Sequence, residues 1–129
     1  MSAHDVAPVV KQLSQEQIAR YADASGDHNP IHVDEEFARA TPFGGTIAHG
    51  MLVLASISEM MAAAFGEAWL TGGRLRVRFR APARPTNTIT ASATAQSQRD
   101  AGTRIYAVSC TNQAGELLIS GTAELASGG

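Results

Sequence analysis

The sequence predicts an α+β domain in which an antiparallel sheet surrounds one long apolar helix. Two observations predict this class. Residues 47–65 are apolar on nearly every helical face, as expected of a helix enclosed by protein. After Gly73, apolar and polar residues alternate with a period of two, which is typical of antiparallel strands with one face in water. The length of 129 residues fits a single domain spanning 1–129.

The beginning of the chain predicts a short strand followed by a helix. Residues 6–13 supply the strand. Ser14 then has the features of a helix N-cap, because Gln17 follows three residues later in a capping-box pattern. Gly26 is placed to end this helix, since glycine readily adopts the left-handed conformation found after helix C-termini.

A polar loop and a short helix are expected next. Residues 26–32 are predicted to form the loop, in which Pro30 disfavours helical backbone at Asn29. Residues 34–40 are predicted to form one or two helical turns before the long apolar helix begins.

The second half of the chain predicts a β-meander. The expected strands are 74–80, 89–96, 104–111 and 116–125, with turns at 100–102 and 112–115. In the first of these strands, arginines alternate with Leu75, Val77 and Phe79. In the last strand, the apolar residues expected on one face are Leu117, Ile119, Ala123 and Leu125.

Composition excludes several classes of function. The formal net charge of -2 argues against a protein that binds nucleic acid mainly by electrostatics. Cys110 is the single cysteine, which excludes a disulfide framework and a cysteine-rich metal site. Residues 1–10 lack the pattern of a signal peptide, and no apolar stretch is long enough to span a membrane. We therefore expect a cytoplasmic protein without a membrane partner.

Asp27 and His32 are the first candidates for chemistry. A carboxylate and an imidazole suit proton transfer near neutral pH, and Pro30 between them restricts the loop that carries both. The alternative is that Asp27 only caps a turn and His32 is a polar residue with satisfied hydrogen bonds. Spacing alone favours this alternative.

Metal binding and nucleophilic hydrolysis are weaker hypotheses. The candidate ligands are His28, His32, His49 and Asp27 or Asp34. Pro30 argues against the helix that would place two histidines on one face, so we expect no metal. No serine lies in a Gly-x-Ser-x-Gly motif, and Cys110 falls within a predicted strand.

His49-Gly50 opens the long apolar helix. The first amides of a helix lack intrahelical acceptors and lie at the positive end of its dipole. Gly50 would let a ligand oxygen approach these amides closely. The alternative is that Gly50 only permits close packing at the helix start.

Two motifs resemble a known family. They are Gly-Asp-x-Asn-Pro-x-His at residues 26–32 and His-Gly-Met-Leu at residues 49–52, with Arg-Phe-x-x-Pro at residues 78–82 in support. With these motifs the chain resembles the MaoC-like (R)-specific enoyl-CoA hydratases and 3-hydroxyacyl-thioester dehydratases. The likeness extends over roughly residues 12 to 125.

The resemblance implies a hot-dog fold, a homodimer, and reversible hydration of trans-2-enoyl thioesters to (R)-3-hydroxyacyl thioesters without a cofactor. It implies that Asp27 and His32 form the catalytic dyad and that the Gly50 amide binds the thioester oxygen. Asn29 would shape the loop, and Ser58 would support the dyad. Two rival functions remain with the same fold: an acyl-CoA thioesterase and a non-catalytic acyl-CoA-binding dimerisation module.

The substrate of such an enzyme is a thioester of coenzyme A or of acyl carrier protein. The arginines of residues 74–84 would suit either carrier, and Arg76 and Arg78 are the candidates for binding its phosphates or acidic surface. The alternative is a solvated strand face whose arginine stems cover apolar surface. Leu54 on the long helix is a candidate for lining the acyl pocket.

Overall fold

A computed structural model of the chain describes residues 6–96 and 102–126. The helices in these residues are α1 (Gln15–Ser25), α2 (Pro30–Val33), α3 (Glu35–Arg39), α4 (Gly50–Phe65) and α5 (Glu67–Gly72). The strands are β1 (Val9–Gln12), β2 (Arg74–Phe79), β3 (Thr88–Ala95), β4 (Thr103–Thr111) and β5 (Leu117–Ala126). None of these helices has the length and apolar character needed to span a bilayer.

The strands form one antiparallel sheet around α4. Their order is β1-β3-β4-β5-β2, so β1 and β2 are the edge strands. Helix α4 packs against β1, β3 and β4, and α5 packs against β5. The predicted α+β class, with a sheet that surrounds the long apolar helix, is confirmed. Residues 100 and 101 of the predicted turn at 100–102 lie outside the described residues.

Helix α4 supplies the centre of the core. Ile57, Met60 and Met61 are fully buried against the sheet. Burying a side chain of this size contributes roughly 1.5–3 kcal/mol. The helix was expected from residue 47, but it begins at Gly50. The three preceding residues stay extended, because the amide of Ile47 donates to Ile31 and that of Ala48 to Ala83.

Strand β5 corrects one predicted face. Leu117 was expected to face the core but is 39% exposed, whereas Leu118 is fully buried. The register shifts here, since Cys110 pairs with Ile119 and Thr111 with Leu117. Leu118 is therefore the extra residue of a β-bulge, which reverses the alternation at this end of the strand.

The predicted ends of α1 are confirmed. The Ser14 hydroxyl accepts a hydrogen bond from the Gln17 amide, and Gly26 caps the C-terminus with φ 81° while its amide donates to Ala22. Helix α5 was not predicted. It follows a break at Gly66, which has φ 58°, and it carries the buried Trp69.

Candidate active site

The loop that follows α1 fixes the carboxylate of Asp27. The Asp27 amide donates to the Ser25 hydroxyl at 3.2 Å. The Asn29 amide donates to Oδ1 of Asp27 at 3.3 Å, which closes an Asx turn. Because one carboxylate oxygen is held by its own loop, Oδ2 is the oxygen turned toward His32.

His32 lies on a one-turn helix rather than in an irregular loop. We expected a loop through residue 32, but α2 begins at Pro30, whose fixed φ suits a first helical position. Asn29 is not helical, as predicted, and serves as the N-cap, its Oδ1 accepting from the Ile31 amide at 3.2 Å. The helix places the His32 ring beside the start of α4.

The orientation of the His32 ring follows from its hydrogen bond. Nδ1 lies 2.8 Å from the carbonyl oxygen of Ile47. Since a carbonyl only accepts, Nδ1 carries the proton and Nε2 of the neutral ring is a bare acceptor. Nε2 lies 3.9 Å from Oδ2 of Asp27, too far for a direct hydrogen bond. One oxygen atom can bridge this gap with two hydrogen bonds of about 2.8 Å.

The two members of the pair differ in exposure. The His32 side chain is 11% exposed and that of Asp27 is 54% exposed. A water molecule can therefore reach the carboxylate from solvent, while the imidazole is held in the protein.

His49 is the third polar residue at this position. It is 2% exposed, and its Nε2 lies 2.9 Å from the carbonyl oxygen of Asp27. Its ring stacks on that of His32, with centroids 3.8 Å apart and an interplanar angle of 24°. From the sequence we weighed His49 only as a metal ligand. Its place directly before Gly50 in the second motif was the available indication of a role at the site.

Asp27, His32 and His49 could together hold a metal ion, because one ligand atom from each lies within 4.8 Å of the others. Two of the four ring nitrogens already have carbonyl partners, Nδ1 of His32 and Nε2 of His49. Metal binding through all three residues would require at least the His49 ring to give up its bond or turn.

An apolar cavity of about 370 Å³ opens beside His32. Its lining includes Gly50 and Val53 from α4 and Phe79 at the end of β2. A second cavity of about 380 Å³ is lined by Asp27 and His49, and it shares Gly50 and Phe79 with the first. The start of α4 therefore lies where the two cavities adjoin, between the imidazole and the carboxylate.

The amides at the start of α4 are available to a ligand. Within the described residues, the N-cap of this helix makes no side-chain hydrogen bond to them. Gly50 has no side chain to cover its own amide, and it lines both cavities. A ligand oxygen placed there would meet a donor at the positive end of a 16-residue helix.

The remaining predicted site residues lie elsewhere. Ser58 accepts a hydrogen bond from Nε1 of Trp69 at 3.1 Å and does not line the cavities of Asp27 or His32. Leu54 packs half-buried against the core, and its neighbour Val53 lines the His32 cavity instead. Arg76 and Arg78 line a separate groove of about 240 Å³ on the outer side of β2.

A polar network supports the segment that carries His32. The Gln15 amide group donates to the His32 carbonyl at 2.8 Å and accepts from the Thr46 hydroxyl at 2.7 Å. Glu35 accepts from the Thr46 amide at 3.2 Å. The Thr46 amide and hydroxyl hold the pKa of Glu35 below its usual value. Sequence reasoning missed this network, because its members lie far apart in the chain.

Two other reactive side chains lie outside the site. His28 points to Asp23, whose hydrogen bond at 3.0 Å raises the pKa of His28. Cys110 is fully buried within β4, and burial raises the pKa of its thiol. A buried, protonated thiol is a poor nucleophile, which agrees with the expectation that Cys110 is not catalytic.

The family profile described as MaoC like domain matches residues 4–116. The chain belongs to the MaoC-like domain family. Asp27, His32, His49 and Gly50 all lie inside the matched region. The family predicted from the two motifs is therefore confirmed, and the candidate site is part of the MaoC-like domain.

Two relatives of this MaoC-like chain have names that describe an activity. The 3-hydroxyacyl-thioester dehydratase Z of Mycobacterium tuberculosis is 42% identical over 74 residues, covering 54% of this chain and 49% of the relative. The (R)-specific enoyl-CoA hydratase of Rhodospirillum rubrum is 35% identical over 88 residues, covering 68% of this chain and 61% of the relative. The chain thus spans about half the length of the curated relatives it matches.

A solved structure shares the fold. The R-hydratase PhaJ1 from Pseudomonas aeruginosa, in its unliganded form, matches with a TM-score of 0.82 at 27% identity. The match covers 97% of this chain and 81% of that one. The hot-dog arrangement expected from the resemblance is confirmed for this MaoC-like domain.

Proposed function

We propose that this chain adds water to trans-2-enoyl thioesters and removes it from (R)-3-hydroxyacyl thioesters. The observation that carries the proposal is the pair of acceptors on one oxygen-sized gap: Nε2 of His32 lies 3.9 Å from Oδ2 of Asp27. The names of the two relatives support the same reaction class and the (R) configuration. The apolar cavity beside His32 supports an acyl substrate.

In the hydration direction, a water molecule donates to Oδ2 of Asp27 and to Nε2 of His32. As its oxygen bonds to C3 of the enoyl group, one member of the pair takes a proton from the water. The C2–C3 π electrons move toward the thioester oxygen, and C2 then receives a proton from the pair on the same face. Hydroxyl and hydrogen are thus added without net change at the protein, and dehydration reverses each step. The two groups act as one coupled acid–base system.

Gly50 stabilises the charge that develops on the thioester oxygen. Its amide begins α4, so the helix dipole adds to the hydrogen bond. An amide fixed before the reaction stabilises an enolate more than the neutral thioester, and this difference lowers the barrier. The location of Gly50 between the two cavities would place the thioester oxygen near both Asp27 and His32.

The remaining residues have supporting roles in the proposal. Asn29 shapes the loop through its hydrogen bonds to Asp27 and Ile31. Arg76 and Arg78 would bind the phosphates of coenzyme A or an acidic acyl carrier protein. Ser58 and Leu54 keep the supporting and pocket-lining roles implied by the resemblance, which stay predictions.

A homodimer is also part of the proposal. Among the described strands, edge strand β2 pairs only with β5, so its outer edge can accept a partner. Light scattering coupled to size-exclusion chromatography tests this directly, and a strictly monomeric, active protein would contradict it.

The test follows crotonyl-CoA by the absorbance of its enoyl-thioester group while free thiol is measured in parallel. Hydration removes the absorbance without releasing thiol, whereas a thioesterase releases thiol. We expect Asp27→Asn and His32→Ala to fold and to lose about 10²- to 10⁴-fold in kcat. The exposed pair of Asp23 and His28 supplies matched controls, since Asp23→Asn and His28→Ala change the same residue types outside the site.

The outcomes separate the three candidate functions. Loss of absorbance that depends on both Asp27 and His32 supports the hydratase. Thiol release by the wild-type protein would instead support the thioesterase. Binding of acyl-CoA with neither reaction would support the dimerisation module. Near-wild-type hydration by either Asp27→Asn or His32→Ala would overturn the assignment of the dyad.

A further inference from the structure

His49 touches both members of the pair, although the reaction proposed above gives it no role. Its Nε2 bonds the carbonyl oxygen of Asp27 at 2.9 Å, and its ring stacks on His32 at a centroid distance of 3.8 Å. On the other side, the ring of Tyr21 packs against it at 4.8 Å with a tilt of 57°. The imidazole is therefore fixed on one edge and on both faces.

The hydrogen-bond partners of His49 define its tautomer. The Asp27 carbonyl only accepts, so Nε2 carries the proton. Nδ1 is buried and has no hydrogen-bond partner among the described residues. A second N–H at this atom would be buried without an acceptor, which is unfavourable. The packing therefore selects the neutral ring with its proton on Nε2.

The ring of His49 is not needed to cap the helix that it precedes. His49 is the N-cap residue of α4, but its side chain makes no capping hydrogen bond within the described residues. It turns instead to the loop of residues 26–32, where its donor is used on Asp27. Its side-chain contacts are thus directed at the proposed dyad and not at the stability of the helix start.

Each member of the pair has one contact from its own surroundings and one from His49. Asp27 is held through Oδ1 by Asn29 and through its backbone carbonyl by His49. His32 is held through Nδ1 by Ile47 and on its face by the His49 ring. We propose that His49 is a positioning residue that sets the 3.9 Å gap between Nε2 of His32 and Oδ2 of Asp27. This inference rests on the proposed hydratase function.

Two substitutions separate the two contacts. His49→Gln keeps an N–H donor near the position of Nε2 but removes the stacked ring. His49→Phe keeps a ring but removes the donor. Misplacement of a catalytic group by about 1 Å costs as much as 10²-fold in rate, so we expect kcat to fall about 10- to 100-fold in His49→Phe. The Michaelis constant should stay within about twofold, because the cavity walls are unchanged.

The matched control is His28→Gln, which replaces a histidine of the same loop that bonds Asp23 and lies outside the site. Circular dichroism and thermal denaturation report whether each variant folds. A residue with a merely structural role would lower the melting temperature but leave kcat per folded molecule and its pH profile unchanged. We expect both kcat and the pH profile to change. If His49→Phe does not fold, His49→Gln carries the kinetic test, since it keeps the buried hydrogen bond.

Nitrogen-15 NMR of labelled histidine supplies a readout that does not depend on activity. In the wild-type protein we expect protonated Nε2 on His49 and protonated Nδ1 on His32. The His32 signals should shift in both His49 variants and stay constant in His28→Gln. Wild-type kcat and unchanged His32 signals in both folded variants would overturn the proposal. If the wild-type chain proved inactive, the proposed function would fail, while the His32 signals would still decide the positioning role.

Discussion

The ring of Phe79 lies against the backbone of Gly50, so that a Cβ built on Gly50 would come within 3.0 Å of Cε1 of the ring. In Gly50→Ala the ring must move, and both cavities change shape because Phe79 lines them. We expect the variant to fold, since Phe79 is half exposed and free to shift, but to lose about 10-fold in kcat/KM for crotonyl-CoA hydration.

Gly72→Ala is the matched control for this change. A Cβ at Gly72 meets no atom within 4 Å, so the same substitution there should leave the hydration rate unchanged. Wild-type kcat/KM in Gly50→Ala would contradict the role assigned to the start of α4.

Gly121 allows β5 and β2 to approach closely. A Cβ at this position would lie 2.0 Å from the carbonyl oxygen of Arg76 and 2.7 Å from Cα of Val77, both backbone atoms that cannot move without breaking the ladder. We expect Gly121→Ala to lower the free energy of unfolding by more than about 2 kcal/mol, as severe overpacking does. Urea denaturation, with Gly72→Ala as the control, measures the effect. Equal midpoints for the two variants would show that the strands separate at little cost.

Charge reversal at Arg76 and Arg78 tests the binding of the thioester carrier. We expect the double glutamate variant to raise the Michaelis constant for crotonyl-CoA, for the acyl carrier protein thioester, or for both, and to leave kcat nearly unchanged. The effect should weaken with added salt, because the interaction is electrostatic. Arg20→Glu reverses an exposed arginine on α1 as the control. Unchanged Michaelis constants for both carriers would leave the arginines as a solvated strand face.

The hydrogen bonds from Thr46 make stability depend on acid. They hold the pKa of Glu35 below its reference value of 4.5, so the carboxylate stabilises the fold above pH 4.5. This contribution is lost as the pH falls below 4.5 through the lowered pKa of the folded state. We expect the melting temperature of Glu35→Gln to fall less steeply than that of wild type in this range. Glu36→Gln, an exposed neighbour, is the control; parallel curves for wild type and Glu35→Gln would contradict the linkage.

Local sequence signals predicted much of the site. Ser14 and Gly26 marked the ends of α1, and the Asx and N-cap chemistry of the following loop is formed by neighbouring residues. These contacts span two to four residues, so their geometry follows from residue type and spacing. The alternating pattern likewise predicted the strands of the meander, because side chains on a strand alternate between its faces.

What the sequence did not predict depends on partners far away in the chain. The start of α4 was placed too early because the amide of Ala48 bonds Ala83, which no local pattern reveals. The burial of Leu118 follows from a register shift between two strands. His49 belongs to the site through Asp27 and His32, residues 22 and 17 positions earlier. Periodicity describes one element at a time, whereas these features arise between elements.

The dyad and the cavity are built from different parts of the chain. Asp27 and His32 belong to one segment of six residues whose conformation is set largely by its own turns and caps. The cavity walls come from Val53, Phe79 and residues 81–83, each more than twenty positions away. Substitutions in these walls can therefore alter which acyl chains are accepted without disturbing the proton-transferring segment. The same separation would allow descendants of this domain to acquire new substrates by changing the walls alone, with the chemistry inherited intact.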